Sequence, residues 1–188
     1  MSRVHPGLFM ATLSLAFSFG CMAKNVSPRY TLKEGTKGLV ILALTQSGHP
    51  DGWRAYVRVR PVGANPGEAE DVWFVGGAVK KDYYDQMEGR LLCWELEEGE
   101  YEIFHWVAER DQGKFSRPLE TRDPISFRFK AVGGKAVYAG SLHVQVDPAQ
   151  ETFQIMAADK RERDLALLSG RLPNVEKDNI VFDIMKKD

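Results

Sequence analysis

Cysteine is scarce in this chain, which holds two, Cys21 and Cys93, with no C-x-x-C pair and no Cys/His spacing. That excludes a disulfide framework and argues against a structural zinc site. An excess of charge of one sign is also missing, since 25 basic residues face 26 acidic ones for a formal net charge of −1. No whole-molecule field therefore favours nucleic acid. Beyond residue 20 no apolar run reaches the roughly 18 residues that a membrane-spanning helix needs. Internal repeats, heptads and low-complexity tracts are absent. Serines 116, 126, 141 and 169 lie in no G-x-S-x-G setting, and Gly133-Gly134-Lys135 lacks the flanking spacing and the Ser or Thr of a phosphate-binding loop. No cofactor or metal ion is expected. What is present is an ordinary globular composition, 188 residues with 44% hydrophobic and 27% charged, enough for one domain around one core.

The residue patterns read as strands. Gly38 to Leu44 is apolar without alternation, which suits a central strand covered on both faces. Trp53 to Arg60 alternates with a period of two, placing Trp53, Ala55, Val57 and Val59 on one side and Arg54, Tyr56, Arg58 and Arg60 on the other. A long loop then leads to Asp71 to Val75, which is expected to form a hairpin with it, while Lys80 to Gly89 reads as a loop or short helix. Leu91 to Leu96 is a strand running into Leu96-x-x-Gly99-x-Tyr101, the spacing of a tyrosine corner. Gly99 is expected to supply positive φ there, and the Tyr101 hydroxyl to bond upstream backbone. The aromatic and β-branched run Ile103 to Val107 continues as a core strand. Gly133-Gly134 predicts a two-residue hairpin between Ile125–Val132 and Lys135–Val146, with Phe129 opposite Tyr138 and Gly140 making room for Phe127. Thr152 to Met156 is a further strand. Asp159 and Glu162 suggest a capping box for a C-terminal helix over about 159–169, with Leu165, Leu168 and Leu172 at helical spacing and Gly170 and Pro173 closing it. Asn179 to Met185 suits a final edge strand.

The N-terminus carries Arg3, a mostly apolar stretch from Leu8 to Phe19, and Gly20-Cys21, the three regions of an export signal over residues 1–20. Gly20-Cys21 resembles the lipobox of bacterial lipoproteins, with Ser18 and Phe19 where that motif has leucine and a small residue. The resemblance implies cleavage before Cys21 and lipidation of its side chain. Ser18-x-Gly20 also fits an ordinary signal peptidase, which leaves free secretion as the alternative. Residues 21–29 then read as a tether, and 30–188 as the folded domain with its helix and tail.

With the corner, the leader and the late segment Phe129 to Gly140, FKAVGGKAVYAG, the chain resembles uncharacterised bacterial envelope lipoproteins carrying an immunoglobulin-like or prealbumin-like β-sandwich. The resemblance implies a mainly β fold, a single antiparallel sandwich with one C-terminal helix. For chemistry the resemblance implies almost nothing, and the expected function is a non-enzymatic envelope accessory or binding protein, anchored to the membrane through Cys21 and facing the periplasm or exterior.

Candidate chemistry is sparse. His49, Asp51 and Trp53 in HPDGW are more simply a turn than a metal site, and His105 and His143 are single strand histidines. Cys93, among Leu91, Leu92 and Trp94, reads as an inert core thiol. The row Arg54, Tyr56, Arg58 and Arg60 is the surface feature with chemical potential, since forked guanidinium donors beside an aromatic can hold an acidic glycan, a lipid headgroup or a partner's carboxylates. The plainer reading pairs the row with neighbouring glutamates such as Glu100 and Glu102. A small periplasmic hydrolase remains a third reading, to be favoured by convergence of His49, His105 or His143.

Overall fold

A computed structural model describes residues 25–48, 53–76, 81–83, 87–110, 118–147 and 149–188. Its strands are β1 (Lys37–Ser47), β2 (Trp53–Pro61), β3 (Glu70–Val75), β4 (Glu88–Glu97), β5 (Gly99–Arg110), β6 (Leu119–Glu120), β7 (Phe127–Ala131), β8 (Ala136–Asp147) and β9 (Thr152–Ala158). Helix α1 (Arg161–Arg171) follows, and β10 (Ile180–Phe182) and β11 (Lys186–Lys187) end the chain. Two sheets form a mainly β sandwich. The first has the order β10-β8-β1-β4, with β9 beside the rest of β8, and the second β11-β7-β5-β2-β3, with β6 beside β5. The first sheet is mixed rather than purely antiparallel, because β8 runs parallel to both β1 and β10. The expected export signal, Cys21 and the expected HPDG turn lie outside the described residues.

The apolar run of β1 sits where its composition requires, between β8 and β4 and buried from Gly38 to Gln46. Its even residues Val40, Leu42 and Leu44 enter the core between the sheets with Trp94, Trp106, Phe74, Phe127 and Phe129. Its odd residues Leu39, Ile41 and Ala43 enter a second cluster with Leu165 and Leu168 of α1 and with Leu172 just past its end. The helix thus closes the outer face of the first sheet, as its leucine spacing predicts. Asp159 makes no capping box. The residue flanking the helix start is Lys160, with no side-chain cap, while Asp159 accepts a hydrogen bond from the Arg161 amide. Gly170 lies within the helix, which closes at Leu172 ahead of Pro173.

The edge of β4 is sealed group by group. Gly89 carbonyl accepts from the Asp82 amide, Leu91 amide donates to the Asp82 carboxylate, and Leu91 carbonyl accepts from Arg171. Cys93 amide donates to the Asn25 side chain and its carbonyl accepts from the Val26 amide. Such covering prevents the strand from pairing with another chain.

The tyrosine corner forms as expected and has a topological task. Buried Tyr101 donates its hydroxyl to the Glu97 carbonyl at 3.0 Å, bracing the step by which the chain leaves β4 in one sheet and starts β5 in the other. Gly99, however, has a φ of 159°, close to extended backbone. It begins β5 instead of making a left-handed turn.

The Gly-Gly hairpin is not formed. The turn exists, with the Lys135 amide donating to the Val132 carbonyl, but β7 enters the second sheet and β8 the first. Phe129 pairs with Tyr101 and stacks on it, whereas Tyr138 pairs with Ile41. Burial explains the divergence. Strand β7 alternates buried and exposed residues and needs one covered face, while Ala136 to Leu142 is buried on both faces and needs a layer on either side. Gly133 serves close approach, since a Cβ there would lie 2.5 Å from the Gly35 carbonyl oxygen. Gly134 takes the left-handed conformation at φ 67°. Gly140 does not face Phe127. It sits at φ 98° by a bulge against β1, and a Cβ would meet Ile184 Cγ2 at 3.0 Å and the Ala158 carbonyl oxygen at 3.1 Å. Its neighbour Ala139, which the hairpin register would turn outward, lies in the core.

Candidate functional site

The alternation of β2 delivers Ala55, Val57 and Val59 to the core and leaves Arg54, Tyr56, Arg58 and Arg60 on the outer face of the second sheet. The flanking strands bring partners into line with the row. Register with β5 sets Arg60 beside Glu102 and Arg54 beside Glu109, and register with β3 sets Arg58 beside Asp71 and Tyr56 beside Trp73. Arg60 Nε donates to Glu102 Oε1 at 2.8 Å, Arg58 Nε to Asp71 Oδ1 at 3.0 Å, and Arg54 approaches Glu109 to 2.6 Å. Glu102 also accepts from the Ser126 hydroxyl. Of the two glutamates expected to balance the row, Glu102 does so and Glu100 pairs with Lys130 instead.

Aromatic rings order the same cations. The Arg54 guanidinium lies 4.9 Å from the Trp73 ring centroid, and those of Arg60 and Arg58 lie 4.3 Å and 5.7 Å from that of Phe104. Tyr56 packs on Trp73 with ring centroids 4.5 Å apart. Burial first, then the charges of Asp71 and Glu109, push the Tyr56 hydroxyl above its usual pKa. The row remains reachable at one end, the side chains of Arg54 and Arg58 being 42% and 34% exposed against 18% for Arg60. Chemically the face is a set of guanidinium planes held flat and already charge-matched, with a tryptophan and a tyrosine between them. The sequence pointed to the four β2 residues, and the β2–β3 pairing adds Trp73.

His105 and His143 do not converge. His105 lies on the second sheet, its ring nitrogens 2.8 Å from Thr121 Oγ1 and 3.2 Å from Glu120 Oε2. His143 lies on the first, with Nδ1 2.9 Å from Thr45 Oγ1 and Nε2 3.0 Å from Ser47 Oγ. His49 is outside the described residues. The Ser47–His143 contact resembles a nucleophile and its base only in distance. Thr45 is fully buried, and among the described residues its hydroxyl meets only Nδ1. If that hydroxyl merely accepted, its proton would be unpaired at a cost of about 1–3 kcal/mol. Thr45 therefore donates to Nδ1, Nε2 carries the proton, and the imidazole gives a hydrogen bond to Ser47 where a general base would take one.

A third polar group underlies α1. Asp164 is fully buried and accepts from the hydroxyls of Tyr83 and Tyr138 and from Arg163 Nε, each at 2.7 Å. Burial and this carboxylate drive both tyrosine hydroxyls far above their ordinary pKa. The Tyr138 oxygen also accepts from the Lys160 amide, and Arg163 reaches Ser141. Every member is satisfied within the chain, which marks a fastening of helix to sheet. Local patterns gave no sign of it, because its members meet only after α1 docks. Cys93 is buried, its thiol pushed up to about 12 chiefly by that burial, and so is unreactive.

Among the described residues no cluster of three or more His, Cys, Asp or Glu could hold a metal ion, and no helix is long and apolar enough to cross a membrane. The chain matches no protein-family model, no curated protein and no solved structure.

Proposed function

We propose that this protein is a non-enzymatic accessory of the bacterial cell envelope that holds a protein partner on the outer face of its second sheet. The observation that carries the reading is the Arg54, Tyr56, Arg58 and Trp73 surface, in which tryptophan, tyrosine and arginine, the residue types that dominate binding energy at interfaces, are ordered in advance by stacking and ion pairs. Because each guanidinium already faces a carboxylate, an acidic glycan would have to displace Asp71 or Glu109. A partner offering flat apolar and hydrogen-bonding surface would not.

The export signal and Cys21 support an anchor at the membrane. Three residues separate Cys21 from Asn25, which is bonded to the β4 edge. Extended chain covers roughly 14 Å over that interval. A lipid on Cys21 would therefore keep the sandwich at the bilayer surface. Two or more acyl chains, at about 0.8 kcal/mol per buried CH₂, give stable anchoring. Free secretion is distinguished by labelling: wild type should take up labelled fatty acid and sediment with membranes, and Cys21→Ser should do neither.

The partner face is tested by photo-crosslinking in intact cells, with the reactive residue at Tyr56 or at Leu167 on the exposed side of α1. A discrete adduct from Tyr56, absent from Leu167 and lost in an Arg58→Glu background, is expected. Adducts equal at both positions, or none at Tyr56, would overturn the reading.

A further inference from the structure

The described strand edges are treated very differently. That of β4 is sealed by Asn25, Asp82 and Arg171, the edge strand β3 carries Glu70 and Asp71, and β10, β11 and β6 are three residues or fewer. Strand β9 has seven residues, Thr-Phe-Gln-Ile-Met-Ala-Ala, without a charge or a proline, and among the described residues it pairs only with β8. A long uncharged edge of this kind is a template for another strand.

The direction of its backbone groups follows from β8. In an L-chain strand, residues whose side chains share a face point their N–H and C=O groups to the same side. Tyr138 turns its side chain toward α1, and its carbonyl accepts from the Asp183 amide on the β10 side. Past the bulge, Ser141 and His143 occupy that same outer face, as their contacts with Arg163 and Thr45 show. Their backbone groups therefore bond β9, through the partners Ala158 and Met156. The even residues of β9 are thereby used, and Phe153, Ile155 and Ala157 direct their N–H and C=O groups to the open edge.

We infer that β9 is the self-pairing edge of a homodimer, in which a second copy adds antiparallel about a two-fold axis at Ile155. The axis falls on a residue whose backbone groups are available, as a hydrogen-bonded antiparallel pair requires. The same register sets Phe153 against Ala157 of the second copy, large opposite small, on the core side. Gln154 meets Met156 on the outer side, where Met156 is 44% exposed in the single chain. One strand thus supplies both halves of an isologous contact, and the first sheet continues through the dimer.

The test is light scattering and sedimentation on the full chain in mild detergent. Wild type should show twice the protein mass of a single mature chain. Gln154→Lys with Met156→Lys sets like charges directly opposite across the two-fold and should raise the dissociation constant at least tenfold. Gln154→Glu with Met156→Lys keeps two charges per strand but makes the cross-pairs attractive, and should restore the dimer. The charge reversal separates lost pairing from lost folding, and far-UV circular dichroism checks the fold of each variant. A monomeric wild type at 100 micromolar, or a folded double-lysine variant as dimeric as wild type, would overturn the inference.

Discussion

Removing the Asp164 carboxylate is the perturbation that probes the fold most directly. Asp164 is the centre of three bonds of 2.7 Å, from Tyr83, Tyr138 and Arg163. Asp164→Ala leaves two buried hydroxyls and the Arg163 guanidinium without their acceptor. The ion pair is sheltered on the acid side, where Asp164 is fully buried, and open on the other, where the Arg163 side chain is 32% exposed. Breaking a fully buried pair costs about 3–5 kcal/mol. The partial exposure of Arg163 lowers that share, and each hydroxyl bond to a charged group adds back about 1.5–3 kcal/mol. With two such hydroxyl bonds and the reduced ion-pair share, the expected loss is about 4–8 kcal/mol in all, a large part of a domain's usual stability. Denaturant unfolding followed by far-UV circular dichroism measures it. Tyr138→Phe and Tyr83→Phe should each lose about 1.5–3 kcal/mol alone and little when added to Asp164→Ala, because they share one acceptor. A loss below about 1 kcal/mol for Asp164→Ala, or fully additive tyrosine losses, would refute the view that the carboxylate fastens α1 to the sheet.

Three other outcomes are expected. Tyr101→Phe removes the 3.0 Å bond to the Glu97 carbonyl and should cost about 1 kcal/mol in denaturant unfolding, with no loss meaning that the corner is held by packing alone. Gly140→Ala forces a side chain into φ 98° and against Ile184 and the Ala158 carbonyl, and should cost about 1–3 kcal/mol by thermal or denaturant melting, whereas the same change at the open Gly67 should cost under about 0.5 kcal/mol. Burial first, then Arg163 and Lys160, hold the His143 pKa below its ordinary 6.5. The folded state thus binds that proton less readily than the unfolded chain, so its contribution is intact above pH 6.5 and declines as the pH falls below that value. A His143→Gln variant should lose less stability than wild type between pH 7.5 and 5, as read from paired melts.

What the sequence disclosed was whatever depends on local period. The strict alternation of Trp53 to Arg60 gave both faces of β2, and the unbroken apolar run gave β1 its central place. The leucine spacing gave the helix and its buried stripe, with Leu165 and Leu168 against the sheet. The Gly-Gly segment misled because the same turn chemistry serves a hairpin and an arch between sheets. Which of the two forms depends on how many faces the following strand must bury, and β8 must bury two. At the candidate site the cations were legible and their partners only partly so. Glu102 lies across from Arg60, but Asp71, Glu109 and Trp73 enter through register, and register is long-range information. The Asp164 cluster joins segments as far apart as Tyr83 and Asp164 and leaves no local pattern at all.

The bulge at Gly140 links these features. Before it, Ala136 and Tyr138 face α1, and after it Leu142, Val144 and Val146 face the core between the sheets. A strand of strict period two carries all even residues on one face, so one of these sets would be displaced from its cluster. The extra residue inverts the face within one strand. The first half of β8 can then give Tyr138 to Asp164 and the second half can fill the sandwich. The inversion requires φ 98°, which glycine adopts without strain, and so Gly140 is demanded by backbone geometry. It has a further effect on the edge. Because the bulge resets the faces of β8 but not the side to which its outward residues direct their backbone, the same lateral side is served first by β10 and then by β9. The fastening of the helix, the filling of the core and the open backbone groups of β9 thus all follow from one inserted residue.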